Sequence, residues 1–312
     1  MALTHFKKGF YMKDYMKKVL LSLALIVTGS LPAYSANLNI VTSYPYIEDI
    51  TKKIGKDKVN VSSLSKGDWD PHFVVPKPSL ISKSRKADLL IINGAQLEIG
   101  WLPPIIRQAN NSEIQPGSKG FVDLSVYMNL IQVPNNISRS QGDVHPFGNP
   151  HFALNPDNMP IVSKVVTEKL CQLDNDNCSY FKNNNESFTK KWAEKSKIWS
   201  TKMKSLSGTK VIEYHRLFDY LFKKYNIEVV NTLEPLPGIP PTPRHLATIV
   251  DTIKKESIKL NIRGVYNPND PSKYVSDKTN SNLITLPHDV NSVKESEDVF
   301  SLFDEIVKRL NQ

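Results

Sequence analysis

Runs of apolar residues alternate with amphipathic stretches along most of the chain. Leu38–Thr42, Val59–Leu64 and Leu89–Ile92 are short and rich in branched aliphatics, as buried strands are. Ile47, Ile50 and Ile54 fall at helical spacing between the first two, and Ser79 is positioned to cap a short helix ending before Asp88. Asn93-Gly94 stops the third strand. Val162, Val165, Val166 and Leu170 mark one face of a helix from Met159, which Asp174–Asn177 break. A long helix then spans about Tyr180–Ser205, rich in Lys and Trp and poor in β-branched residues.

The rhythm then repeats. Val211-Ile212 and Ile227–Asn231 read as strands around a helix over Leu217–Tyr225. The Pro-rich loop Glu234–Pro243 precedes a helix marked by Leu246, Ile249, Val250 and Ile253. Gly264–Tyr266 and Leu283–Leu286 are candidate strands, and Val299–Leu310 is a closing amphipathic helix. Strands alternating with helices predict an α/β protein of two parallel sheets flanked by helices. The long helix is placed to join the halves as a rigid connector.

The N-terminus reads as a cleaved secretory signal. Lys17-Lys18 precede the apolar stretch Val19–Leu31, and Ala33-Tyr34-Ser35 supplies the small residues of a cleavage site after Ser35. The apolar stretch falls short of the ~20 residues a spanning helix needs. No cysteine follows it to take a lipid, so a soluble periplasmic protein is expected. Removing residues 1–35, with five Lys and one Asp, lowers the formal charge from +9 to +5. The remaining Lys residues are scattered, which argues against a nucleic-acid or membrane partner. The only cysteines, Cys171 and Cys178, are expected to pair in an oxidising compartment.

Six histidines follow Ser35: His72, His145, His151, His215, His245 and His288. Four of them, His72, His151, His215 and His288, lie in loops after or between strands. Ligands in open α/β sheets bind there, beyond the strands' carboxyl ends. Neutral imidazole is a good Zn²⁺ ligand, and three imidazoles with one carboxylate make a tetrahedral site of reduced charge.

Five segments resemble the cluster A-I solute-binding proteins, which deliver zinc or manganese to ABC transporters. They are Asp70-Pro-His-Phe73 with Pro78-Ser79; Ala87–Gly94 followed by Leu97–Pro103; Gly142–Pro156; Tyr214-His215 with Phe218-Asp-Tyr220 and Lys224-Tyr225; and the Pro-rich loop into Thr242-Pro-Arg-His-Leu246. The resemblance implies residues 1–35 as signal peptide, an N-terminal lobe over 36–177, a connecting helix over 178–205 and a C-terminal lobe over 206–312, with metal in the cleft. It implies His72, His151 and His215 as ligands. The fourth ligand is expected to be Asp289, with His288 as its rival and water as a further alternative. Relatives that carry manganese usually have Glu at the third position, so His215 points to zinc. The usual aromatic-Leu-Asp after the second ligand appears as Phe152-Ala-Leu-Asn155, and the long His-rich loop of many zinc members shrinks to Asn135–Asp143 and His145. His145 reads as a loop residue, with transient metal pick-up as the alternative, and His245 as the start of a helix. Glu48, Glu98, Trp101 and Glu213 are candidates to support the site.

The implied function is a monomeric, high-affinity zinc carrier serving a permease and its ATPase, with a periplasmic metallochaperone as a possible further partner. A manganese carrier, a zinc hydrolase and an adhesion protein are the alternatives. The hydrolase lacks a His-Glu-x-x-His pair, although Glu213 lies two residues from His215. Imidazoles must be neutral to bind metal, so affinity is expected to fall as pH drops through about 6.5.

Overall fold

Val, Ile and Leu runs that are buried on both faces form parallel sheets, because helical crossovers cover each side. The computed structural model describes residues 37–135, 142 and 145–312, and Asn37–Gln312 form one compact unit. The signal segment and most of Asn135–Asp143 lie outside the described residues.

The first sheet contains β1 (Leu38–Thr42), β2 (Val59–Ser63), β3 (Leu89–Ile92) and β4 (Phe121–Asp123), all parallel, in the order β2-β1-β3-β4. The second contains β5 (Lys210–Glu213), β6 (Glu228–Thr232), β7 (Leu260–Gly264) and β8 (Asn282–Leu286), also parallel, in the order β6-β5-β7-β8. The two sheets share one topology. Each reverses its winding beside its central first strand, which opens a crevice at the strand ends.

The helices are α1 (Pro45–Gly55), α2 (Pro78–Arg85), α3 (Leu102–Ala109), α4 (Met159–Leu173), α5 (Cys178–Met203), α6 (Asp219–Lys224), α7 (Pro243–Glu256), α8 (Asn269–Thr279) and α9 (Val299–Leu310). Helix α5 lies between the two sheets in sequence and packs on α1, α4 and α9. Its buried Trp192 and Trp199 meet Phe303 of α9 with ring centres 5.4 and 5.3 Å apart. Cys171 and Cys178 form a disulfide with Cα atoms 4.5 Å apart, tying the last turn of α4 to the first residue of α5. One apolar core runs through both sheets and α5, and a smaller one lies under α7.

The structure departs from the sequence reading in three places. Ser79 does not cap α2; Lys77 is the N-cap and Pro78 occupies the first turn, where its missing N–H costs nothing. The strand expected at Gly264–Tyr266 ends at Gly264 instead. Its centre holds Asn261, a fully buried polar residue that obscures the apolar signal and donates to Ser272 O of α8 at 2.9 Å. Helices α3 and α8 and strand β4 were not expected. Pro103-Pro104 look like breakers, yet they sit in the first turn of α3, and α8 shows little apolar periodicity.

Candidate metal centre

The three histidines come from three loops, each held by its own hydrogen bonds. His72 lies between β2 and α2. The preceding Pro71 carbonyl accepts from Tyr44 Oη at 2.8 Å and from Trp101 Nε1 at 3.1 Å, which fixes the backbone there. Asp70 Oδ1 accepts from the His72 backbone N–H at 2.9 Å and lies 2.8 Å from His72 Nδ1. The carboxylate accepts a hydrogen bond from Nδ1–H, which leaves Nε2 with its lone pair for a metal.

His151 precedes a single 3₁₀ turn, Phe152–Leu154, and its backbone N–H donates to Asn149 Oδ1 at 2.9 Å. Asn149 also donates to Arg216 O at 2.8 Å, and its carbonyl accepts from Tyr220 Oη at 2.6 Å. The loop carrying His151 is thus stitched to the loop carrying His215. From the first sheet, Asn93 Nδ2 donates to Pro150 O at 3.0 Å. Glu98 in turn accepts from the Asn93 and Gly94 N–H groups, at 2.8 and 3.1 Å. Burial pushes the Glu98 carboxyl up to about 7.

His215 follows β5 by two residues. Its Nδ1 lies 2.7 Å from Glu234 Oε2, which also accepts from the Gly238 N–H at 3.1 Å in the Pro-rich loop. The effect matches that of Asp70 on His72: one ring nitrogen is committed to a carboxylate and the other is free.

These loops bring ring nitrogens of His72, His151 and His215 within 4.8 Å of one another. His151 Nε2 and His215 Nε2 are 3.2 Å apart, and the three pairs of ring centres are 5.2, 5.2 and 5.3 Å apart. A tetrahedral ion with metal–nitrogen bonds of about 2.05 Å places ligand nitrogens about 3.3 Å apart, so the spacing fits. Burial, with the neighbouring imidazoles adding to it, holds His151 well below the usual imidazole range, so it offers a lone pair at neutral pH without first losing a proton. Burial works to raise the Asp70 carboxyl, but its hydrogen bonds to His72 and that ring's charge outweigh it and keep it below the usual range.

Of the six histidines and Asp289, only these three form the group. Asp289 is buried, and its Oδ1 accepts from the Tyr46 N–H at 2.8 Å and from the Val290 N–H at 2.7 Å. It caps the N-terminus of α1, where backbone N–H groups lack helical partners, and burial pushes its carboxyl well above the usual carboxylate range. His288 Nε2 donates to Trp69 O at 3.1 Å, and His245 Nε2 to Thr232 O at 2.9 Å. Asp289 and His288 share with His151 the wall of a cavity of about 30 Å³. His151 and His215 also border a larger cavity of about 400 Å³, lined by Gln132, His145, Asn149, Arg216 and Pro237.

Among the residues expected to support the site, Trp101 does so through the Pro71 carbonyl and Glu98 through Asn93. Glu48 instead pairs with Lys52 and accepts from the Ser63 N–H at 3.1 Å. Glu213 is fully buried and accepts from the Phe218 N–H at 2.6 Å, which makes it a structural clamp. Asp70 and Glu234 were not singled out beforehand. An Asp two residues before a histidine is a readable local signal. Glu234 gave none, because only the pairing of β5 with β6 brings it to His215.

Relatives share this architecture. The chain is 27% identical over 251 residues to the metal ABC transporter substrate-binding lipoprotein ScbA of Streptococcus cristatus, covering 79% of this chain and 78% of the relative. It is 25% identical over 259 residues to the manganese ABC transporter substrate-binding lipoprotein PsaA of Streptococcus pneumoniae, covering 78% and 80%. The fold matches a crystal structure of ZnuA with a TM-score of 0.73 at 20% identity, covering 88% of this chain and 98% of that one. It also matches a Mn-bound periplasmic metal binding protein from Candidatus Liberibacter asiaticus with a TM-score of 0.72 at 19% identity, covering 87% and 97%. The model of the family described as zinc-uptake complex component A, periplasmic, matches residues 40–312, and the chain belongs to that family, as a substrate-binding protein of a metal ABC transporter rather than an enzyme.

Proposed function

We propose that the protein captures one Zn²⁺ ion with His72, His151 and His215 and presents it to the permease and ATPase of an importer. One observation carries this reading. Three ring nitrogens converge at tetrahedral spacing, and two of the rings are oriented by carboxylates, Asp70 and Glu234. Nitrogen ligands suit zinc, whereas manganese is better served by oxygen. The manganese reading draws its support from relatives that are named as manganese proteins. The buried, structurally committed position of Glu213 leaves the hydrolase reading without its general base.

The working unit is a monomer in the periplasm, released by cleavage after Ser35, with lobes at 36–177 and 206–312 and the connector at 178–205. Native mass spectrometry of residues 36–312, stripped of metal and offered Zn²⁺ and Mn²⁺ together, tests the cargo. One bound zinc, lost in His215→Ala, is expected. A preference for Mn²⁺ in the wild-type protein would overturn the zinc assignment.

A further inference from the structure

We infer that Tyr266 is a positioning residue of the metal site, its hydroxyl serving the Asp70 carboxylate that orients His72. The inference rests on the carrier reading above and extends it to a side chain from the second sheet's half of the molecule. Tyr266 follows β7 by two residues, in a turn fixed by the buried Asn267. Asn267 Oδ1 accepts from the Gly264 N–H at 2.8 Å, and the Asn267 N–H donates to Gly264 O at 3.1 Å. The Tyr266 ring lies edge to face against that of His288, with centres 4.9 Å apart. His288 Nε2 in turn donates to Trp69 O at 3.1 Å, and Trp69 precedes Asp70 in the chain. These contacts carry Tyr266 to the loop that holds Asp70 and His72.

Tyr266 shares with Asp70, His72, His215 and Glu234 the wall of a cavity of about 30 Å³. That leaves room for a water molecule, which needs about 10–15 Å³. The Tyr266 hydroxyl is buried and has no hydrogen-bond partner among the described residues. A buried hydroxyl is costly unless it is satisfied, and the acceptors on this wall are carboxylates. Both hydrogen bonds from His72 go to Asp70 Oδ1, so Oδ2 can take another. Burial first, then the charge of Asp70, then that of Glu234 raise the phenol well above its ordinary range, so it keeps its proton and donates. The larger effect of Asp70 favours it over Glu234, because the pull of a charge falls with distance. A donor on Oδ2, acting directly or through one water, holds the carboxylate where it takes the His72 Nδ1–H and keeps Nε2 turned to the metal. The hydroxyl thereby couples the second sheet's half to a ligand carried by the first.

The substitution Tyr266→Phe removes the hydroxyl and leaves the ring on His288. Transfer of zinc to a chromophoric chelator should be faster in that variant by the ~10–100-fold that loss of an outer-shell partner costs. In an Asp70→Ala background the same substitution should change the rate by no more than about twofold, because the hydroxyl acts through Asp70. A crystal structure of the metal-free protein should place Tyr266 Oη within about 2.5–3.0 Å of Asp70 Oδ2, or of one water bonded to both. Release unchanged in Tyr266→Phe, or accelerated equally with and without Asp70, would overturn the inference. So would a hydroxyl bonded to His288 Nδ1 instead. A wild type that holds no zinc would sink the carrier reading, while the crystallographic contact would still decide this one.

Discussion

At the scale of single residues, the site depends on what each side chain is already bonded to. Asp289 has the chemistry of a zinc ligand, and two amides hold its Oδ1 in place. Asp70 and Glu234 could also ligate metal, but each faces an imidazole Nδ1 and acts by fixing the ring. Glu98 shows how far this support extends, since it holds the Asn93 turn that holds Pro150. Its carboxyl is raised by burial from 4.5 to about 7. Between those values the native state binds a proton that the unfolded state has lost. Its contribution is therefore complete below pH 4.5 and lost as pH rises through 7. Urea unfolding of wild type and Glu98→Gln should show the wild type's relative stability falling by about 3 kcal/mol from pH 4.5 to 7.5. A difference that stays constant with pH would mean that Glu98 is ionised throughout.

At the scale of elements, the strongest local signals were read well. Strands β1, β2, β3 and β8 and helices α1, α4, α5 and α9 occupy the expected stretches, because uniform apolar runs and helical apolar spacing depend little on context. Elements with buried polar centres or early prolines were missed, since their stability comes from neighbours that sequence does not display. Asn261 in β7 is the clearest case. The disulfide between Cys171 and Cys178 belongs to this scale, because it closes a tight link between α4 and α5. Replacing both cysteines with Ser should lower stability by about 2–3 kcal/mol through freedom regained by the unfolded loop. The check is the shift in urea midpoint at unchanged slope, with wild type kept oxidised.

At the scale of the molecule, the question is how far the cleft moves. Helix α9 follows the second sheet in sequence but packs on β8 and also on α1 and α5. Asp298 at its N-cap pairs with Lys53 of α1 at 2.9 Å, and Asp49 accepts from the Val299 N–H at 3.0 Å. A core continuous through both sheets, braced by α5 and α9, resists hinge bending. His72, His151 and His215 already offer ring nitrogens within 4.8 Å of one another. Metal binding should therefore order loops at the cleft rather than swing lobes. Small-angle scattering of metal-free and zinc-loaded protein should give nearly superimposable curves; a clear compaction on loading would contradict this.

The sequence by itself determined the α/β rhythm, the doubled sheet, the long helix, the disulfide pair and the three histidines. Each of these is written in local spacing or in short motifs around one residue. The tertiary structure alone decided that Glu234 orients His215, that Asp289 caps a helix, and that His145 stands 5.5 Å from His72. Glu234 reaches His215 only through the pairing of β5 with β6, and the other two assignments depend on distances between loops more than 70 residues apart in the chain, which no local pattern of residues encodes.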